Sequence, residues 1–201
     1  MVFICDLLES RLNTFNLAVQ HDPSKVEYLL TCMYGYANYN KKKEHWEFIH
    51  QICENHSGPW ILIGDLNFHL IDTNNNTTSS VDGLVNNIVQ SCGLEDLGFV
   101  GKDYTWSRNN LGTGIRRSRI DMTLGNVEWN NNYPNSKLMH LNQIGSDHSP
   151  ILFLTNSHDS ACWKPFKFFL TWLEDETCSS VIEEACNIDI TGSPGKEVSI
   201  S

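Results

Sequence analysis

The stretch from Trp60 to Asn67, WILIGDLN, decides the fold. Its apolar part, Trp60 to Gly64, is typical of a strand that is buried on both faces of a sheet. Asp65 and Asn67 follow directly, and the alternation of side chains along a strand predicts that both point to the same side. A carboxylate there can orient or deprotonate water, and an amide can hold a phosphoryl oxygen. The competing interpretation is a turn closed by the aspartate side chain.

Two further polar words lie downstream, Ser118 to Asp121 (SRID) and Ser146 to Pro150 (SDHSP). Each lies beside an apolar run that predicts a strand. The carboxylate of Asp147 could bind magnesium, and the imidazole of His148 can donate a proton or stabilise charge that develops on a phosphorane. Asp121 could orient His148 through a carboxylate–imidazole hydrogen bond. Together the words predict hydrolysis of a phosphate ester at a divalent cation.

Each of these residues also has a structural interpretation. Asp121 could form a salt bridge with Arg117 or Arg119, and Asp147 could lie in a polar turn before a strand. Tyr34 ends a predicted strand and could offer its phenol to a phosphate, although a core position is the commoner fate of a tyrosine.

Composition bounds the class of protein. The chain has 201 residues, of which 40% are hydrophobic and 19% charged, as expected for one globular domain with a tail. The net charge of −10 argues against non-specific adhesion to nucleic acid over the whole surface. One short basic segment could contact phosphate or could be a solvated loop, and its members are Lys102, Arg108, Arg116, Arg117 and Arg119.

Cysteine usage and hydropathy bear on the compartment. The seven cysteines have no zinc-knuckle spacing or disulfide framework, which favours reduced, mostly buried thiols in an intracellular protein. No apolar run is long enough to span a membrane, and we find no signal peptide.

The rest of the chain alternates strands with helices. Strands are predicted over 26–34, 60–64, 104–107, 120–124, 138–141 and 150–155, and helices over 40–55 and 84–92. A polar loop is predicted over 72–83, and a turn around 112–114 should join the strands at 104–107 and 120–124. This order indicates a mixed α/β sandwich, with sheets packed face to face and helices outside. Lys41 to Lys43 oppose the dipole of the first helix, so either the helix begins later or these lysines have another role.

The ordered words resemble the endonuclease/exonuclease/phosphatase superfamily, which includes deoxyribonuclease I. They resemble more closely the endonuclease domain of plant LINE-type (non-LTR) retrotransposon polyproteins. The words that carry the resemblance are Thr31 to Gly35, Trp60 to Asn67, Asp96 to Gly101, Tyr104 to Ser107, Arg119 to Asn126 and Ser146 to Pro150. The resemblance implies an α+β fold, a four-layer α/β sandwich of the deoxyribonuclease I-like type that is incomplete at the N-terminus. Residues 1–155 would form this partial domain, and residues 156–201 would resemble the connector to an absent reverse transcriptase.

The resemblance also implies roles for single residues. Asp65 would activate or position the attacking water, and Asn67 and Tyr34 would contact the phosphate. Asp121 would orient His148, which would stabilise the developing charge, and Asp147 would be a metal ligand. Apart from the resemblance, the basic segment before Asp121 predicts nucleic-acid contacts by Arg108, Arg116, Arg117 and Arg119. The implied cofactor is Mg²⁺, with Mn²⁺ as an alternative, the implied substrate is DNA, and the implied location is nuclear. No membrane and no small-molecule cofactor are expected.

The sequence departs from the family upstream of Tyr34. The family has an asparagine word and a glutamate word there, and the glutamate is a principal magnesium ligand. Glu9 lies in Leu8 to Arg11, LESR, which is a different context. We therefore expect a fragment truncated at both ends, with weakened or lost catalysis.

Three functions stay open. The first is a magnesium-dependent endonuclease that nicks DNA, and the second is a non-catalytic remnant with at most weak nucleic-acid binding. The third is a phosphatase of the same fold that acts on an inositol phosphate or sphingolipid headgroup. The words from Gly98 to Trp106 and the connector argue against the phosphatase.

Overall fold

The computed structural model describes residues 4–70, 80–110 and 114–156, together with Thr177, Ser180 and Glu183. Most of the predicted loop at 72–83 and nearly all of the predicted connector at 156–201 lie outside the described residues. The division into two parts near residue 155 therefore stays a prediction. No helix in the described ranges is both long and apolar enough to cross a membrane.

The described chain is a mixed α/β fold, as the sequence predicts. Its strands are β1 Ile4–Arg11, β2 Thr14–Gln20, β3 Tyr28–Tyr34, β4 Trp60–Asp65, β5 Glu95–Asp96, β6 Trp106–Asn110, β7 Gly114–Ser118, β8 Asp121–Gly125, β9 Lys137–His140 and β10 Ile151–Leu154. Its helices are α1 Tyr39–Asn55, α2 Ser80–Ser91 and α3 Val127–Asn132. A six-stranded sheet has the order β1-β2-β3-β4-β8-β5, and β6–β7 and β9–β10 form two-stranded sheets.

The central strands of the large sheet are buried on both faces, which explains why β4 has a continuous apolar sequence. On one face, Leu62 and Leu124 pack with α1 and α2 in the larger core cluster. On the other face, Ile61 packs with Trp129 of α3, and Phe153 of β10 packs against the same cluster. The finer four-layer arrangement stays a prediction.

The β1–β2 hairpin has no counterpart in the sequence prediction. All eight residues of β1 are exposed, so the strand carries no alternating apolar pattern that would reveal it. A two-residue turn joins the strands, and its residues Leu12 and Asn13 have φ values of 51° and 58°. Left-handed conformations at both central positions match the right-handed twist of the flanking strands. The backbone of Asn13 accepts a hydrogen bond from the Tyr34 N–H at 3.0 Å, which places the turn beside the end of β3.

Two other predictions need correction, and one helix was missed. Strand β6 pairs with β7, whereas the predicted partner strand at 120–124 is β8 and belongs to the large sheet. Residues 80–83 begin α2 and are not part of a loop. The helix α3 was not predicted, because six residues are too few to show a helical period.

Lys42, near the start of α1, makes contacts that explain why a basic residue lies there against the helix dipole. The helix does begin at Tyr39, and no acidic residue lies in its first turn. Lys42 is buried and donates a 2.6 Å hydrogen bond to the Asn67 carbonyl, and its ammonium lies 3.8 Å from Asp82. The side chain of Lys42 therefore anchors α1 to the segment that follows β4.

Candidate functional site

The register of the large sheet brings three of the predicted site residues into one row. Tyr34 is the parallel partner of Asp65 across β3 and β4, and Asp65 is the antiparallel partner of Asp121 across β4 and β8. Partners directly opposite each other point to the same face of a sheet, with Cβ atoms about 5 Å apart. This face is opposite the one that α1 and α2 cover.

Asp121 and His148 form the dyad that the sequence predicts. The Nδ1 atom of His148 lies 3.0 Å from Oδ2 of Asp121. Of the two alternative partners of Asp121, Arg119 instead forms a salt bridge with Asp96, and the guanidinium of Arg117 lies against the Tyr104 ring. A carboxylate that holds one imidazole nitrogen fixes the ring and leaves Nε2 available to a substrate.

Thr105 is a site residue that the sequence reasoning missed. Its hydroxyl oxygen is fully buried and accepts hydrogen bonds from the backbone N–H groups of Ile120 and Asp121, at 3.2 and 3.0 Å. Its carbonyl accepts a 2.6 Å hydrogen bond from the Ser149 N–H. Thr105 therefore fixes both partners of the dyad. The only sequence signal was its place in the word from Tyr104 to Ser107.

The electrostatics of Asp65 are unusual for an aspartate. Burial and then the nearby Asp121 carboxylate raise the pKa of Asp65 from 3.8 to about 6. His148, the Asn67 N–H and Lys42 act in the opposite direction but do not cancel the shift. A carboxylate with a pKa close to the working pH is suited to general-base catalysis.

Asn67 combines both interpretations that the sequence left open. Its N–H donates to Oδ1 of Asp65 at 3.1 Å, which is the predicted turn, and its side-chain Nδ2 lies 3.4 Å from Oδ2 of the same aspartate. The same Nδ2 donates to the Gly35 carbonyl at 2.9 Å. Asn67 has a φ of 52°, so the chain has already left the strand there. A phosphate contact would have to replace the long interaction with Asp65.

Tyr34 and Asp147 are two exposed residues of the predicted site. The side chain of Tyr34 is 62% exposed beside Asp65, so the core alternative is wrong. Asp147 is exposed, and its Oδ2 accepts a 3.0 Å hydrogen bond from the indole N–H of Trp106. Trp106 also forms a β-bridge with His148, and sequence reasoning gave it no role. The role of Asp147 as a metal ligand stays a prediction.

The arginines divide into two groups. Arg108 and Arg116 are exposed and lie directly opposite each other on the β6–β7 hairpin. They share a face with Ser118, whose hydroxyl is hydrogen-bonded to His69, so the hairpin is tied to the segment after β4.

The other two arginines are engaged by the protein. The guanidinium of Arg117 lies 4.8 Å from the centre of the Tyr104 ring. That of Arg119 is partly buried, pairs with Asp96 and lies 4.8 Å from the centre of the Phe99 ring. Nucleic-acid binding by all four arginines stays a prediction, and the free pair on the hairpin is best placed for it.

The site residues suit a divalent cation. Among the described residues, Asp65, Asp121 and His148 are the group whose ligand atoms all lie within 4.8 Å of one another. Mg²⁺ prefers oxygen ligands and is often held by one or two carboxylates together with substrate phosphates. Asp65 and Asp121 provide this donor set, while His148 is already hydrogen-bonded to Asp121. A cation between the two carboxylates would relieve the repulsion that raises the Asp65 pKa.

A known structure shares this fold, and others match it more weakly. The endonuclease domain of TRAS1, a telomere-specific non-LTR retrotransposon, superimposes with a TM-score of 0.59 at 17% identity, over 74% of this chain and 68% of that one. A beta toxin of Staphylococcus aureus matches with a TM-score of 0.46 at 11% identity, over 71% and 56% of the two chains. A truncated TDP2 of Caenorhabditis elegans matches with a TM-score of 0.42 at 14% identity, over 75% and 64%. The TRAS1 match defines a deoxyribonuclease I-like fold of the endonuclease/exonuclease/phosphatase type.

Sequence comparison identifies the family. The model of the endonuclease-reverse transcriptase family matches residues 28–152. The chain belongs to this family, which confirms the resemblance to retrotransposon endonucleases. No curated protein matches the sequence.

Proposed function

We propose that this chain hydrolyses phosphodiester bonds of DNA with the help of a divalent cation, as a nicking endonuclease of retrotransposon type. The observation that supports it most directly is the 3.0 Å contact between His148 and Asp121, with Asp65 in the same cluster. A pair of aspartates, of which Asp121 is buried and Asp65 half-buried, is costly to maintain beside an oriented imidazole, because like charges repel in a partly dry site. Such an arrangement is typical of catalytic sites.

Asp65 acts as the base. In the site without a cation, the Asp65 carboxylate is ionised above a pH of about 6 and can accept a proton from the attacking water. The water oxygen attacks phosphorus, the bond to the leaving sugar oxygen breaks, and that oxygen takes a proton from solvent. A cation held by Asp65 and Asp121 would neutralise the negative charge that develops on the phosphate.

His148 stabilises the negative charge that develops on the phosphate. Its Nδ1 is held by Asp121, so a ring that carries both protons presents the Nε2–H to a phosphoryl oxygen. The exposed phenol of Tyr34, next to Asp65, contacts another phosphoryl oxygen. Asp147, whose Oδ2 accepts a hydrogen bond from Trp106, would add its other carboxylate oxygen to the cation. This division of roles follows the family resemblance, and the contact between Asp121 and His148 supports it.

The hairpin supplies affinity for the nucleic-acid backbone. Arg108 and Arg116 are adjacent cations on an otherwise acidic protein, and backbone contacts of this kind release counterions. Each arginine that contacts a phosphate steepens the salt dependence of binding by about one unit on a logarithmic scale. A nuclear location stays a prediction from the resemblance.

A nicking assay on supercoiled plasmid with Mg²⁺ or Mn²⁺ tests the proposal. The variants Asp65→Asn and His148→Ala should each lower the nicking rate by at least about 100-fold. Asp103→Asn, an exposed carboxylate outside the site, is the matched control and should retain the rate. No nicking by the native chain at any concentration of either metal would refute hydrolysis, and equal nicking by His148→Ala would assign it to a contaminant.

A second function is supported by the same residues. The cluster Asp65–Asp121 offers two carboxylates among the described residues, and one oxygen of Asp147 is already engaged by Trp106. A site with few metal ligands could retain DNA binding without hydrolysis, as a non-catalytic remnant. Binding measured in EDTA separates the two functions. Salt-dependent binding that weakens in Arg108→Ala, without nicking by the native chain, would favour the remnant.

A further inference from the structure

Two thiols meet where the C-terminal ends of α1 and α2 pack together. Cys53 lies in the last turn of α1, and Cys92 directly follows α2. Both line a cavity of about 260 Å³ that Trp60 and Asn126 also line. The Cys53 thiol is among the groups that raise the pKa of Cys92. Both thiols are free in the structure.

We propose that Cys53 and Cys92 form a reversible disulfide that links α1 to α2. A disulfide requires two sulfur atoms that already face each other, because separated or divergent side chains cannot be bridged without moving the backbone. Cys53 and Cys92 lie in the wall of one cavity, and the Cys53 thiol is close enough to contribute to the raised pKa of Cys92. Cys92 belongs to the larger core cluster and Cys53 packs against it, so both side chains are held in place.

A small oxidant can reach the pair. The same cavity is lined by Ser57 and Glu128, which are exposed, so the cavity opens to solvent. The other described cysteines, Cys5 and Cys32, lie on β1 and β3 with β2 between them. In the native chain they serve as controls for the pairing of Cys53 with Cys92.

The chemistry needs a disulfide as co-reactant, and oxidised glutathione is a suitable one. The Cys53 thiolate attacks one glutathione sulfur, which forms a mixed disulfide and releases one glutathione thiolate. The Cys92 thiolate then attacks the Cys53 sulfur and releases the second glutathione thiolate. Two electrons pass to glutathione, and the two protein thiol protons go to solvent. Burial raises the pKa of Cys92 to about 12, so the second step should be slow at neutral pH and faster as the pH rises.

The linkage would restrain the two helices that hold the segment after Asp65. Lys42 of α1 donates to the Asn67 carbonyl at 2.6 Å, and Asn86 of α2 donates to the His69 carbonyl at 3.1 Å. Oxidation closes a chain loop between the two cysteines, and a disulfide across such a loop stabilises the folded state mainly by restricting the unfolded chain. The expected rise in Tm is about 5–10 °C.

The test uses the full chain with the other five cysteines replaced by serine, at positions 5, 32, 162, 178 and 186. Incubation with oxidised glutathione at pH 8.5 should remove the mass of two hydrogen atoms, raise Tm and yield a linked 53–92 peptide in a non-reducing digest. Dithiothreitol should reverse all three changes. Cys92→Ser in the same background should stop at the glutathione adduct on Cys53.

Two results would overturn the proposal. One is a folded protein that carries only glutathione adducts, and the other is a linked peptide without any rise in Tm. If the five-serine variant does not fold, the non-reducing peptide map of the native chain decides, and pairing of Cys53 with any other cysteine counts against the proposal.

Discussion

Replacement of Asp65 by asparagine should stabilise the protein at neutral pH although it removes the proposed base. The pKa of Asp65 is about 6 in the folded state and 3.8 in the unfolded state, because burial and Asp121 disfavour its charge. Between these values the unfolded chain loses its proton first, so ionisation favours unfolding as the pH rises. Asparagine has nearly the same shape and no charge, and its side-chain oxygen can still accept the Asn67 N–H.

The magnitude follows from the size of the shift. A shift of about two units corresponds to at most about 3 kcal/mol of destabilisation above pH 6. Asp65 is only partly buried, and solvent screening reduces this figure by about half. We therefore expect Asp65→Asn to raise the free energy of unfolding by about 1–1.5 kcal/mol at pH 7 and by much less at pH 4.

The protonation of His45 also makes the stability depend on pH, with the opposite sign to that of Asp65. This buried histidine is hydrogen-bonded to Thr14, and burial lowers its pKa from 6.5 to about 4. The unfolded chain therefore binds a proton first as the pH falls, and stability is lost between pH 6.5 and 4. In the native protein the His45 and Asp65 contributions partly cancel over this range. In Asp65→Asn the loss at low pH should become visible.

Urea unfolding at pH 4, 5, 6 and 7 measures the effect, since the midpoint and slope give the free energy of unfolding at each pH. Asp103→Asn is the matched control and should leave the pH dependence of the native protein unchanged. The reasoning is refuted if the difference between Asp65→Asn and the native protein is the same at pH 4 and pH 7. A destabilised variant at pH 7 would also contradict it.

Two further substitutions test how the site is built. Gly64→Ala should lower the free energy of unfolding by more than about 3 kcal/mol in urea, because its Cβ would lie 2.0 Å from the Met33 carbonyl oxygen at a φ of 141°. In Gly83→Ala, the added Cβ in α2 would have no atom within 4 Å, so this variant should instead gain up to about 1 kcal/mol in the free energy of unfolding. An equal loss of stability in both variants would contradict the steric argument. Thr105→Val leaves the Asp121 N–H without its acceptor, so this variant should lose about 1–3 kcal/mol of the free energy of unfolding and nick DNA more slowly. Thr105→Ser should retain both the stability and the nicking rate. Native-like nicking in the valine variant would exclude the positioning role.

The buried strands could be predicted because their sequences carry the burial pattern of the sheet. The apolar run at 60–64 became β4, and the β-rich run at 26–34 became β3. The order of the polar words also identified the family, since each word follows or precedes such a strand. What the sequence could not provide was the pairing of β8, because its neighbours in the sheet are distant in the chain.

The parts that escaped prediction lack a local signal. The exposed strand β1 has no apolar alternation, and the hairpin partner of β6 was assigned to 120–124 because β7 is basic and exposed. Thr105 reads as an ordinary strand threonine until its contacts with Asp121 are known. Arg119 resembled its basic neighbours in sequence, yet only the fold reveals its pairing with Asp96.

The alignment of Tyr34, Asp65 and Asp121 has a consequence for how the site can change. These side chains share one face only because three strands are paired without offset at their ends. Insertion or deletion of one residue within β4 would turn Asp65 toward the helices and bring an apolar side chain to the open face. The composition of the strand would barely change, but the two carboxylates would be separated. Loss of the site therefore requires no substitution at any of its residues, and a single-codon length change in β4 would be sufficient.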